Sequence, residues 1–133
     1  MSDPYRAMAD TVQAQLQADS VLASTTYDSD VTDAPKAYAL IYLQRVFEYR
    51  PGSADPVAVD WTLTMHSVGE TPMQSRAYSE HVTGQLNSWR PVLDGWNSGQ
   101  LRHTASFPPE KNINVQPSNF YVIDQFSWRS DRA

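Results

Sequence analysis

Apolar residues recur at helical spacing near the start of the chain. Tyr5, Met8, Ala9, Val12 and Leu16 fall on one side, with Arg6, Asp10, Gln13 and Gln17 elsewhere. This spacing predicts an amphipathic helix over 3–19, with Ser2 or Asp3 as N-cap and Pro4 at the first helical position. STTYDSDVTDAP, residues 24–35, is polar and acidic and predicts a loop. KAYALIYLQRVFEY, residues 36–49, starts apolar on both faces and predicts a strand buried on both sides there. RPGSADP, residues 50–56, has turn chemistry. The next run, VAVDWTLTMHSVG, alternates strictly. Val57, Val59, Trp61, Leu63 and Met65 take one face, and Ala58, Asp60, Thr62, Thr64 and His66 take the other. These two strands are expected to form a hairpin.

A second helix is predicted over 72–89, capped by Thr71 with Pro72 in its first turn. Its stripe is Ala77, Tyr78, Val82, Gln85, Leu86 and Trp89. Gly84 inside it costs about 1 kcal/mol relative to alanine, which a close neighbour against the backbone would explain. RPVLDGWNSG, residues 90–99, breaks the helix. QLRHTASF, residues 100–107, predicts a weakly alternating strand, and PPEKNINVQPSN, residues 108–119, a proline-bounded loop. FYVIDQFSW, residues 120–128, is aromatic and β-branched and predicts a strand. The polar tail RSDRA, residues 129–133, is expected to fray. The order α-β-β-α-β-β predicts an α+β, two-layer fold with a mainly antiparallel four-strand sheet and two helices on one face.

Composition narrows the class. A length of 133 residues suits one domain over 1–133, and 41% apolar with 19% charged residues is ordinary for a soluble globular protein. No apolar run approaches the roughly 18 residues of a membrane helix, so no membrane partner is expected. The first twenty residues lack an apolar h-region, and no secretory signal is expected. Cysteine is absent, which excludes disulfides and thiolate metal sites and fits a reducing compartment. A net charge of −5 denies the chain the basic footprint of a non-specific nucleic-acid binder.

SVGETPMQSR has the strand–glycine–helix layout of a phosphate-binding turn but not its inventory. It holds one glycine and no Lys-Ser/Thr, and Glu70 stands where an anion would bind. Gly69, Thr71 and Pro72 therefore read as a structural corner. His66, His81 and His103 form no local zinc motif, and no nucleophile elbow occurs. A long-range cluster with Asp60 or Glu80 is the alternative to surface histidines. Asp28, Asp30 and Asp33 lack the glycine and distal glutamate of a calcium loop. No catalytic residue, cofactor or metal is expected. The candidate interface residues are Arg45, Phe47, Tyr49 and Arg50, with Pro108, Pro109, Glu110 and Lys111. Aromatics and arginines are enriched at interface cores. Alternatively, Phe47 and Tyr49 extend the first strand into the core. Stacking on single-stranded nucleic acid is a further use of such residues, opposed here by the acidic balance.

The run AYALIYLQRVFE, a Pro/Gly/Asp-rich turn, then VDWTLTMHSVGETPMQSRAYSEHVTGQLNSWRP resembles the tail terminator proteins of long, non-contractile-tailed bacteriophages, notably those of actinobacteria. The resemblance lies in the order of motifs over about residues 37–128: tyrosine-containing first strand, VG corner, helix and WRP turn. Family members often carry a glycine-rich turn soon after the first strand, whereas this chain runs on through QRVFEYR. The resemblance implies a ring, usually hexameric, at the head-proximal end of the tail tube. Such a ring ends tube polymerisation and receives the connector or stopper proteins of the neck. It also implies a virion location after assembly in the host cytoplasm, passage of genomic DNA through the lumen without specific binding, and no catalytic residues. An acidic lumen would avoid trapping phosphate. A head-tail stopper or connector-completion protein is the neighbouring reading, and such proteins are more β-rich. A small enzyme or ligand-binding domain is the reading from another class, and it requires histidines and carboxylates to converge in one pocket.

Overall fold

The computed structural model describes residues 4–30, 35–52, 55–115 and 118–133. In chain order the elements are α1 (Pro4–Gln17), β1 (Thr26–Asp28), β2 (Tyr38–Tyr49), β3 (Ala58–Gly69), α2 (Pro72–Leu86), β4 (Trp96–Ser98), β5 (Arg102–Ser106), β6 (Glu110–Asn112) and β7 (Asn119–Arg132). The fold is mixed α+β, but the sheet has seven strands where the sequence predicts four. Three long strands form its centre in the order β2-β3-β7, all antiparallel. β1 adds to β2 in parallel, and β4, β5 and β6 lie along the outer edge of β7.

Both helices cover the same face of this sheet. Met8, Val12 and Leu16 of α1 and Val82 and Leu86 of α2 meet Ile41, Trp61, Leu63, Met65 and Phe126 in one core. Full burial of side chains of this size contributes about 1.5–3 kcal/mol each. In-register pairing brings Trp61 opposite Trp128, with rings 6.2 Å apart and 19° from parallel. The alternation of β3 holds from Val59 to Ser67, since one face meets the helices, but at its ends Ala58 and Val68, of the other parity, are buried as well.

Several expectations are corrected. The stretch read as a loop over 24–35 contains β1, while residues 31–34 of it lie outside the described residues. The stretches 90–99 and 108–119 contain β4 and β6. Strands of three residues are too short to display a period, and pairing with β2 (for β1) or β7 (for β4 and β6) makes them strands. The tail over 129–133 does not fray, because β7 runs to Arg132 and Ser130 is fully buried. α2 ends at Leu86, not Trp89. Ser88 takes a positive φ of 64°, and its amide leaves the helix for the Leu101 carbonyl. Ala77, placed on the apolar stripe, is exposed. Gly84 is exposed with nothing within 4 Å of a Cβ, so no close neighbour accounts for it. The N-cap expected at Ser2 or Asp3 lies outside the described residues. Among the described residues, no helix is long and apolar enough to cross a membrane.

Candidate assembly surface

The turn from β3 into α2 is built by close approach. A Cβ on Gly69 would stand 2.8 Å from the Ser75 nitrogen and 2.9 Å from Gln74 Cβ. Thr71 Oγ1 accepts from the Gln74 amide at 3.1 Å, and Gln74 Oε1 accepts from the Glu70 amide at 2.7 Å. Two of the amides that an anion would need are therefore already taken by side chains. Glu70 is exposed, with Lys36 Nζ at 3.8 Å.

The far end of the β2–β3 hairpin is organised by a bulge. The register shifts between Arg45 and Phe47, so Arg45 lies opposite Trp61 and Phe47 opposite Asp60. This shift moves Phe47 and Tyr49 off the helix-covered face, where simple alternation would keep them, and leaves both exposed with Val46. They are not extensions of the core. On the opposite face, Arg45 and Arg50 both bind Glu48, and the Arg45 guanidinium lies 4.8 Å from the Tyr5 ring centroid.

The two groups of candidate interface residues do not form one patch. Residues 45–50 pair near Ala58–Trp61, which meets Trp128–Asp131 of β7. Glu110 and Lys111 pair with Tyr121 and Phe120, and Phe120 faces Gly69 at the other end of β3. The hairpin tip and the β3–α2 corner are thus about 30 Å apart at 3.3 Å per residue. Pro108 and Pro109 lie just before β6 with Phe107, in a hollow of about 310 Å³ that also touches Arg76 and Ser79 of α2.

Between these ends, the helix-free face of the sheet carries an aromatic row. His66 of β3 lies between Tyr42 of β2, edge-on at 4.9 Å, and Tyr121 of β7, stacked at 5.8 Å. Burial between these rings lowers the pKa of His66 below 6.5. Tyr121 donates to Glu110 at 2.7 Å, and this bond raises the phenol pKa above 10. Tyr27 and Tyr38 extend the aromatic surface toward β1, with centroids 6.2 Å apart. Toward the hairpin tip, the sheet leaves a trough of about 550 Å³ between Val46 and Gly99 and Gln100, with Asp60, Arg102 and Arg129 at its walls.

Long-range pairing gives the other histidines separate partners. His81 Nδ1 lies 2.9 Å from Asp19 Oδ2, joining α2 to the turn after α1. Burial pushes the Asp19 carboxyl up, but bonds from His81 and the Val21 amide outweigh it and hold its pKa below 3.8. His103 Nε2 lies 2.9 Å from Oδ1 of Asp124, and Ser79 Oγ donates to Oδ2 at 2.6 Å. Asp124 is fully buried, and this contact is absent from the sequence reading although the alternation of Val122, Asp124 and Phe126 signals an inward carboxylate. The carboxylate stands between serine and histidine. A nucleophilic triad needs the histidine there, touching the hydroxyl. The geometry ties α2 and β5 to β7 and leaves the serine without a base. No group of three or more His, Asp or Glu side chains suited to a metal occurs among the described residues.

No protein-family model matches the chain, and no curated protein matches it by sequence. Its fold is shared with a solved chain described as the virion of a native gene transfer agent (GTA) particle. The likeness has a TM-score of 0.67 at 17% identity and covers 94% of each chain.

Proposed function

We propose that this chain is a non-enzymatic structural protein of a phage-type virion, acting as a tail terminator. In this reading, copies form a ring, hexameric in the usual case, on the head-proximal end of the tail tube. The ring ends tube polymerisation and presents its other side to the connector or stopper of the neck. The observation that carries this reading is the fold likeness to a GTA virion chain over nearly the full length of both. Surface chemistry supports it. Val46, Phe47 and Tyr49 on β2 at one end, and Met73 on α2 with Ile113 in the turn after β6 at the other, are exposed apolar groups of the kind contact surfaces use. The histidines have separate structural neighbours, which suits a protein without covalent chemistry.

Charge adds to the picture. Residues 1–35 hold six acidic side chains and one basic, while residues 36–133 hold nine of each. The whole surplus of −5 thus belongs to residues 1–35, whose described part includes Asp28 on β1, at the edge of the sheet, and Asp30 just after it. In the ring this edge is the part suited to face passing DNA, since like charge prevents retention.

A neck stopper is the second reading, favoured by one observation. The sheet has seven strands where four are expected, and stoppers are the more β-rich of the two. Native mass measurement and negative-stain imaging, alone and with purified tail-tube protein, separate the readings. A terminator forms rings and caps tube ends. A stopper forms rings that ignore tube and bind the connector. A chain that remains monomeric with either partner refutes both.

A further inference from the structure

We infer that β5 and β6 form one detachable strap, residues 102–112, which opens from β7 as a unit while the rest of the sheet stays folded, and that His103 is its latch. The strap is a property of the single chain and does not depend on assembly.

The strap adds nothing to the core. No residue from 102 to 112 is buried, and Phe107 is 49% exposed, whereas the adjoining β7 buries Val122, Asp124 and Phe126. Its pairing is thin. β5 and β6 pair with β7 and, among the described residues, with no other strand. A register shift between His103 and Ala105 interrupts β5. Pro108 and Pro109, which have no amide hydrogen to give, separate it from β6. The seat against the helix layer is loose. A hollow of about 310 Å³ lies between Phe107, Pro108 and Pro109 of the strap and Arg76 and Glu80 of α2. Few buried contacts and solvent-exposed backbone bonds are the marks of a segment that opens below global unfolding.

The chain just before the strap is anchored. Leu101 is 1% exposed, its amide donates to the Trp89 carbonyl at 2.8 Å, and its carbonyl accepts from the Ser88 amide at 3.0 Å. The Gly99 amide donates to the Arg129 carbonyl at 2.9 Å. The boundary between held and loose chain therefore falls between Leu101 and Arg102. Within the strap, Thr104 Oγ1 donates to the Gln125 carbonyl at 3.2 Å and Glu110 accepts from the Tyr121 hydroxyl at 2.7 Å, both at exposed positions. His103 alone reaches the core. Its ring stacks on Phe126 with centroids 4.8 Å apart, and its Nε2 lies 2.9 Å from Oδ1 of Asp124, both partners fully buried. Opening takes this partner from the buried carboxylate, which keeps its bond from Ser79. That loss is what holds the strap closed.

Native-state hydrogen exchange of the wild-type chain, read by NMR in rising sub-denaturing urea, tests the strap. The amides of Gly99, Leu101 and Phe107 make bonds of nearly equal length to backbone carbonyls, at 2.9, 2.8 and 2.9 Å. Phe107 is nonetheless expected to be at least about 100-fold less protected than the other two. It should also share one opening constant and one urea slope with the protected amides of β6, a slope smaller than that of the core strand β3. Equal protection at the three positions overturns the inference, and so does opening of β5 and β6 with separate constants.

Two variants test the latch by the same measurement. His103→Ala removes a bond that opening breaks, so Phe107 is expected to exchange at least roughly tenfold faster. Ser79→Ala removes a bond to the same carboxylate that opening leaves intact. In that variant Phe107 is expected to stay within about twofold of wild type, although the slowest β3 amides exchange faster in both variants. Equal acceleration of Phe107 by the two variants means that it exchanges only through global unfolding, and this overturns strap and latch together. Circular dichroism of each variant confirms that it is folded.

Discussion

The backbone nitrogen of Ser75 lies so close to Gly69 that a Cβ there would stand 2.8 Å from it. Backbone cannot yield as a flexible side chain does, so the first turn of α2 would have to move. Gly69→Ala is expected to destabilise the protein by about 1–3 kcal/mol, the usual cost of overpacking. Gly84 is the internal control. It is helical, exposed and surrounded by open space, so Gly84→Ala should stabilise by up to about 1 kcal/mol. Urea denaturation of both variants checks this pair, and equal effects would contradict it.

Asp124 holds α2 and β5 against β7 from a fully buried position. Asp124→Ala strands the Ser79 hydroxyl and the His103 ring and should cost roughly 2–5 kcal/mol. Ser79→Ala removes one donor and should cost about 1–3 kcal/mol. The denaturation midpoint should fall with an unchanged slope in both. Effects within error of zero would mean that the buried carboxylate is satisfied in another way.

His66 makes stability depend on pH in a known direction. Its folded pKa lies below 6.5, so the unfolded chain takes up the proton first as pH falls. Its contribution is present above pH 6.5 and is lost as pH drops through the lower folded value. Wild-type Tm should therefore fall between pH 7 and pH 5, and His66→Phe should flatten that slope. The Asp19 carboxyl, held below 3.8, loses its contribution only at still lower pH, so the two steps separate.

Ser130 sits where the sequence reads as a loose tail. Its hydroxyl accepts from Trp61 Nε1 at 3.1 Å and meets the Ser98 hydroxyl at 2.7 Å. Ser130→Ala should cost about 1–3 kcal/mol by leaving a buried indole donor without its acceptor. Deleting residues 130–133 also removes the pairing of β4 and should cost more. A truncated chain with wild-type Tm would contradict this account.

The legible parts of the fold are those whose order is local. The alternation of Val59, Trp61, Leu63 and Met65 and the helical spacing of Met8, Val12 and Leu16 each report one buried face, and both reach the core as read. Asp124 was also legible by parity, between Val122 and Phe126, but a carboxylate in an inward position needs partners that no local pattern names. His103 and Ser79 are 21 and 45 residues away in the chain.

By itself, then, the sequence determined the two helices, the long strands, the acidic balance and the absence of sulfur chemistry from cysteine, because period and composition are properties of neighbours in the chain. Only tertiary structure decided that 26–28, 96–98, 110–112 and 129–132 are strands, because hydrogen bonding to a distant edge, and not their own residues, holds them extended. It likewise decided that Phe47 and Tyr49 face solvent. One bulged residue, Val46, reverses the faces of everything beyond it, and a bulge is a relation between two strands.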